Sequence, residues 1–192
     1  TQVGARRRVH EQRLDPRRRV RGLEGVADLL RLLGPLDADE VAARLVAAEP
    51  PPGAPAPDGA PDAAATTAEA QSHLDALVDA RRAIPVTIAG VARVAGIEDA
   101  GRLRDALGAA LPVGIPTAFL EPVVDPLADL VARHARTHGP FRTGDVAARL
   151  GIGAAVARQT LQRLESQGRL SSGFFLPDPA RGSCGAQSAG AD

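Results

Sequence analysis

The sequence predicts a mainly α protein with small β wings, an α+β class, built as two tandem winged-helix (helix-turn-helix) modules. Three observations predict it. The stretch GPLDADEVAARL at 34–45 recurs as GPFRTGDVAARL at 139–150, with seven of twelve residues identical. Beyond each copy a shared spacing continues: Leu74, Leu77 and Arg82 match Leu161, Leu164 and Arg169, at a separation 18 residues shorter. A repeat with one local insertion marks two copies of one module. In the second copy a tight turn, Gly151-Ile152-Gly153, joins one amphipathic stretch to the next, which is the helix-turn-helix pattern.

Taken in order, residues 1–22 form a basic arm. It holds eight Arg against Glu11 and Asp15, a balance of +6 in a chain whose net charge is zero. Pro16 breaks any helix there, and the RRRVRG run at 17–22 reads as extended. A first module is expected over 23–98. Its first helix, 23–33, places Val26, Leu29, Leu30 and Leu33 on one face. Gly34-Pro35 ends it. Asp37 caps a second helix, 38–45, with Glu40 completing a capping box. The insertion at 49–65 carries six of the chain's prolines and predicts an extended or disordered loop. A third helix follows at 67–82, with Leu74, Leu77 and Val78 facing the core. Residues 84–88 and 91–97, hinged at Ala89-Gly90, predict a two-stranded wing.

Residues 99–125 read as a short helix and a Pro-rich connector. Asp125-Pro126 then signals a helix start. The second module, 126–176, has helices at 126–138, 144–150 (capped by Thr143) and 154–167. A wing is expected from Arg169 to Leu176, and a disordered tail over 177–192. Leu161 and Leu164, with Val156 or Ala157, are expected in the core of the last helix.

Composition excludes several classes. All 23 basic residues are Arg, so no lysine exists to complete a phosphate-binding P-loop. Asp39-Glu40 lacks the preceding apolar strand of a helicase acidic box and reads as helix-capping charge. His134 and His138 are four apart on one helix, but no Glu or Cys stands nearby to complete a metal site. Cys184 is the single cysteine, which rules out an intramolecular disulfide and fits a cytoplasmic setting. No apolar run reaches the ~18 residues of a membrane span. No catalytic residue and no cofactor of its own are therefore expected.

Binding remains. Arg158, Gln159, Gln162 and Arg163 fall on the outward face of the last helix, and Arg and Gln are the side chains that read base edges or grip phosphates. Arg142 and Thr143 stand at the start of the preceding helix, where a phosphate is favoured. Arg169 opens the wing, and Arg17, Arg18 and Arg19 lie in the basic arm. The long insertion between helices argues against sequence reading by the first copy, because a major-groove reader uses a short rigid turn.

The run from Gly101 to Leu170, with RLRDALG, PTAFLEPVVDPLADLVARHARTHGPF and GRL, resembles the region beyond the motor domains of large helicase-related (Lhr) proteins of actinobacteria. The preceding RRAIPVTIAG and IEDAGRLRDALG are similar to that family as well. The resemblance implies an accessory segment of a 3′-to-5′ ATP-dependent DEAD/DEAH-box DNA helicase acting in DNA repair. Its expected partners are single-stranded DNA or RNA–DNA hybrid, and motor domains in cis. ATP and Mg are expected only for the parent motor. In the family these winged-helix-rich domains resemble alkylpurine glycosylases in fold and help hold the tracking strand. Two departures stand out. The family carries an aromatic, often Trp, where this chain has 92–95, and Ser183-Cys184 lacks the family's Trp. With both motor domains absent, the chain is expected to be a truncated or frame-disrupted product. The alternatives are a winged-helix protein-interaction module and a stand-alone transcriptional regulator.

Overall fold

The computed structural model describes residues 13–48 and 64–173. The first part of the arm, most of the insertion, residues 174–176 of the wing expected from Arg169 to Leu176, the tail and Cys184 lie outside the described residues; the described part of that wing, 169–173, forms no strand.

The first module begins with α1 (Gly22–Leu33), whose Val26, Leu29, Leu30 and Leu33 are buried. Gly34, at φ +87°, ends it. The next helix, α2 (Ala38–Ala42), carries the expected capping box: Asp37 accepts from the Glu40 N–H at 2.9 Å, and Glu40 accepts from the Asp37 N–H at 3.1 Å. It stops short of the expected Leu45, because Leu45 and Val46 leave the helix to pair with the chain on both sides. Val46 N–H donates to Val20 O, Val20 N–H to Arg44 O, and Ala65 N–H to Leu45 O. These bonds pin the base of the insertion. The segment 17–22 is only partly extended: Pro16–Arg18 is a 3-10 turn capped by Asp15, and Val20 is the residue that pairs.

Helix α3 (Thr67–Asp79) opens on a Thr66–Glu69 capping box. Strands β1 (Ala83–Ile88) and β2 (Val91–Gly96) then form an antiparallel hairpin. Ala89 and Gly90 both have positive φ, +53° and +76°, as a two-residue turn that follows strand twist requires. Leu36 adds an unforeseen isolated bridge, exchanging two backbone hydrogen bonds with Val94 at 3.0 and 2.8 Å. The sheet itself is two-stranded, and Leu36 bridges to β2 on the side away from β1. Pro85 is tolerated because β1 is the outer strand.

A 3-10 turn (Ile97–Asp99) leads into α4 (Ala100–Leu107), where an unbroken helix from Glu98 was expected. The second module follows with α5 (Pro126–Thr137), α6 (Thr143–Leu150) and α7 (Ala154–Ser166). Asp125 caps α5 by accepting from the Ala128 N–H. Thr143 is not the cap of α6, as expected, but its first helical residue. Arg142 stands at the cap position, its N–H donating to Asp145 at 2.8 Å. In α7 the core residues are Ala157, Thr160 and Leu164, with Leu161 half-buried, while Val156 is exposed.

The repeat is visible in three dimensions. Val26 and Val131, Val41 and Val146, and Ala70 and Ala157 are equivalent pairs, each residue fully buried. One substitution between copies is chemical: Leu29 and Leu33 of the first module correspond to His134 and His138 of the second. The two imidazoles stack, with centroids 3.8 Å apart, and Phe141 meets His134 edge-on.

The modules share a packed junction. The apolar side of the hairpin (Ile84, Val86, Ile88) packs with Leu103 of α4, Leu130 of α5 and Leu150 of α6. The hairpin turn lies against the turn between α6 and α7: a Cβ on Gly151 would come within 3.2 Å of Ala89 N and Cβ. Arg149 bridges to Glu40 and to Pro35 O, and Arg93 donates to Ile88 O and Arg149 O. Asp99, 1% exposed, accepts from Arg102 and from both terminal nitrogens of Arg133. No helix among the described residues is long and apolar enough to cross a membrane.

Candidate nucleic-acid interface

Helix α7 is held by a narrow stripe. Ala157, Thr160 and Leu164 face the core, and Thr160 satisfies its hydroxyl on Val156 O. The opposite side is open. Arg158, Gln159, Gln162 and Arg163 are all exposed, as the spacing predicted. Arg163 pairs with Asp125 at 2.9 Å with both side chains solvated, a type of pair worth little. The guanidinium groups of Arg158 and Arg169 have no hydrogen-bonding or ion-pair partner among the described residues. Arg142 is exposed at the start of α6 with Thr143 beside it. These positions all belong to the second module.

The arm residues sit elsewhere. Arg17 and Arg18 are exposed on the 3-10 turn. Arg19 donates from Nε to Ala43 O at 3.3 Å and so anchors the arm to the end of α2. Its role is at least partly structural, which the sequence did not disclose.

The first module offers a contrasting surface. Its third helix, α3, exposes Gln71, Ser72, Asp75 and Ala76 at the positions equivalent to Arg158, Gln159, Gln162 and Arg163. Asp79 adds a further exposed acid. The same helix in the same repeat therefore presents an anionic or neutral face in one copy and a cationic, amide-rich face in the other. Phosphates would be repelled by α3 and attracted by α7. The hairpin turn of the first module touches Gly151 of the second on one side, while Ala89, Gly90 and Val91 stay exposed.

The histidines fall inside this architecture, not on it. His134 is buried and its Nε2 has no partner. Burial first, then the neighbouring His138 and Arg149, push its pKa down to about 3. His138 is also lowered, by burial, against a backbone hydrogen bond to His134 O that opposes the shift. Among the described residues no group of His, Cys, Asp and Glu is arranged to hold a metal.

Helix-turn-helix packing with a two-stranded antiparallel wing defines a winged-helix protein of the α+β class. A family model described as "Large helicase-related protein, winged-helix domain" matches residues 5–122. The chain is 45% identical over 167 residues to the Lhr helicase/probable uracil glycosylase of Mycolicibacterium smegmatis, covering 87% of this chain and 10% of that protein. It is 37% identical over 164 residues to the Lhr helicase/uracil glycosylase of Escherichia coli, covering 84% and 10%. The chain belongs to the large helicase-related (Lhr) family. It spans about a tenth of the length of the curated relatives it matches.

Proposed function

We propose that this segment binds nucleic acid as an accessory to an Lhr-type 3′-to-5′ ATP-dependent DNA helicase acting in DNA repair. The face of α7 makes the contact. The observation that carries the reading is the contrast between copies: Arg158, Gln159, Gln162 and Arg163 are exposed on α7 where α3 exposes Gln71, Ser72, Asp75 and Ala76. Arg142, Thr143 and Arg169 extend the contact along α6 and past the end of α7. Arg17 and Arg18 add charge from the arm. The partner is single-stranded DNA or an RNA–DNA hybrid, bound mainly through phosphates, since no exposed Trp or Tyr exists to stack on a base. Motor domains in cis would use ATP and Mg. The relatives are named for a helicase and a uracil glycosylase; we assign this segment to neither reaction.

The test is fluorescence anisotropy of labelled single strand, duplex and hybrid against the protein over a series of salt concentrations. Converting α7 to the surface of α3, with Arg158→Gln, Gln159→Ser, Gln162→Asp and Arg163→Ala, is expected to weaken binding at least tenfold and to flatten the salt dependence. Equal binding by this variant and the parent would overturn the assignment to α7.

A second reading, contact with other protein, is favoured by one observation. The connector leaves Val113 and Val124 almost fully exposed, at 105% and 93%, beside partly exposed Phe119. These apolar groups would be covered if another domain packed there.

A further inference from the structure

The first helices of the two modules lie side by side, and the repeat gives each an arginine at the same position: Arg31 on α1 and Arg136 on α5. Both face one cleft of about 430 Å³. Arg133 of α5 and Arg13 and Arg18 of the arm line the same walls, completed by Leu32 and Thr137. Among the described residues, no carboxylate lines the cleft. Arg31 is held by Glu98 at 3.0 Å and Asp28 at 3.2 Å, and Arg133 by Asp99, all three acids standing outside those walls. Arg13, Arg18 and Arg136 have no ion-pair partner among the described residues. Three chain segments thus converge on one open volume, and three of its cations have no ion-pair partner among the described residues.

We propose that this cleft binds the phosphodiester backbone of a nucleic-acid strand. The inference rests on the nucleic-acid reading above and adds a separate contact, remote in sequence from α7. Guanidinium is planar, permanently charged and matched to paired phosphate oxygens. The volume lies within the ~300–1,000 Å³ of ligand clefts, room for more than a single small ion. Five of the seven described lining residues are Arg, which favours an anionic ligand over a purely apolar one. A run of evenly spaced phosphates would relieve the mutual repulsion of guanidinium groups supplied by the arm, α1 and α5. Ligand binding and docking of the arm are then coupled.

The experiment uses the full chain and fluorescein-labelled oligo-dT, followed by anisotropy from low to high salt. In Arg13→Ala/Arg18→Ala/Arg136→Ala the salt slope is expected to fall by about 2, at ~0.7 per phosphate released from a single strand. Affinity should drop at least tenfold at about 0.1 M salt. The three arginines hold no described partner, so the variant should fold; single Arg136→Ala, losing about 0.7 of slope, is the gentler version. The Lys triple variant should recover most of the loss. Unchanged slope and affinity in the Ala triple variant, with a parent that binds, would overturn the cleft and leave the α7 reading standing. Loss in this variant but not in the α7 surface swap would support the cleft and remove α7. A parent that binds no strand would defeat both. Poly-glutamate displacing the strand at equal concentration of charge would also overturn the assignment, by showing a site for acidic peptide.

Discussion

Glu40 of α2 and Arg149 of α6 form a two-pronged ion pair across the module junction, at 2.5 and 3.0 Å, although 109 residues separate them. Within the repeat, Glu40 corresponds to Asp145 and Arg149 to Arg44, so the acid of one copy meets the arginine of the other. Burial opposes the charge on Glu40, but the hydrogen bond and charge of Arg149 prevail and hold its pKa below the usual value. Arg149 also donates to Pro35 O at 2.8 Å. Arg149→Ala should therefore destabilise the fold by about 2 kcal/mol, since it leaves a half-buried carboxylate and a carbonyl without their donor. Urea denaturation measures it, and a loss below ~0.5 kcal/mol would mean that apolar contacts alone hold the junction.

Acid should loosen the second module before it loosens the first. The folded state keeps His134 neutral down to about pH 3, whereas an unfolded imidazole takes up a proton near pH 6.5. Between those values the unfolded chain binds more protons, so stability falls as pH is lowered from about 6.5 toward 3. Glu40, with its depressed pKa, works in the same direction at lower pH: its contribution is present above the unfolded value and is lost as pH falls through the folded one. His134→Leu copies Leu29 of the first module. It should remove most of the loss between pH 6.5 and 4.5 in melting curves, and a pH profile identical to that of the parent would refute the assignment.

Asp99 is the hub of a buried cluster. Asp99→Asn keeps the shape but deprives Arg133 of the carboxylate that raises its pKa. Breaking such a cluster from one side costs about 3–5 kcal/mol. The double variant Asp99→Asn/Arg133→Met should lose less than the two single losses added together, because the Arg133 guanidinium is no longer left facing an amide. Additive losses in denaturant titrations would argue that the two side chains act separately.

Gly151 adopts φ +66° and lies so close to Ala89 that a Cβ would press on it at 3.1–3.2 Å, and the hairpin turn would have to give by a few tenths of an ångström. Gly151→Ala should cost about 1–3 kcal/mol, from the strained φ and from displacement of the hairpin turn. Gly108 has a similar φ, +62°, and open space around it, so Gly108→Ala should show the strain alone. The difference between the two melting temperatures reports the contact between modules.

Much of the fold was legible because each module repeats a local code. The Asp37–Glu40 box, Asp125-Pro126 and the Gly151 turn act within a few residues, and the identical VAARL stretches expose the duplication. The outward face of α7 was readable for the same reason, since helical spacing alone separates Arg158 and Gln162 from Leu164. What depends on distant contacts was not readable. The Leu36–Val94 pairing needs a strand 58 residues away, and α2 ends early because Val46 finds Val20. Arg149 reads as one more exposed arginine until Glu40 is placed beside it. The arginine cleft had one partial signal, Arg18 in the arm; its other members are scattered across α1 and α5, and only the packing of those helices assembles them.

The backbone ladder that joins Val20, Val46 and Ala64 gives the chain a socket between α2 and α3. The exit and return of the peptide are clamped together, so the closure entropy of whatever is inserted there grows only slowly with its length. This makes the position a ready acceptor for cargo: an epitope, a fluorescent label or a cross-linking handle could replace 49–63 while α2, α3 and the junction keep their places.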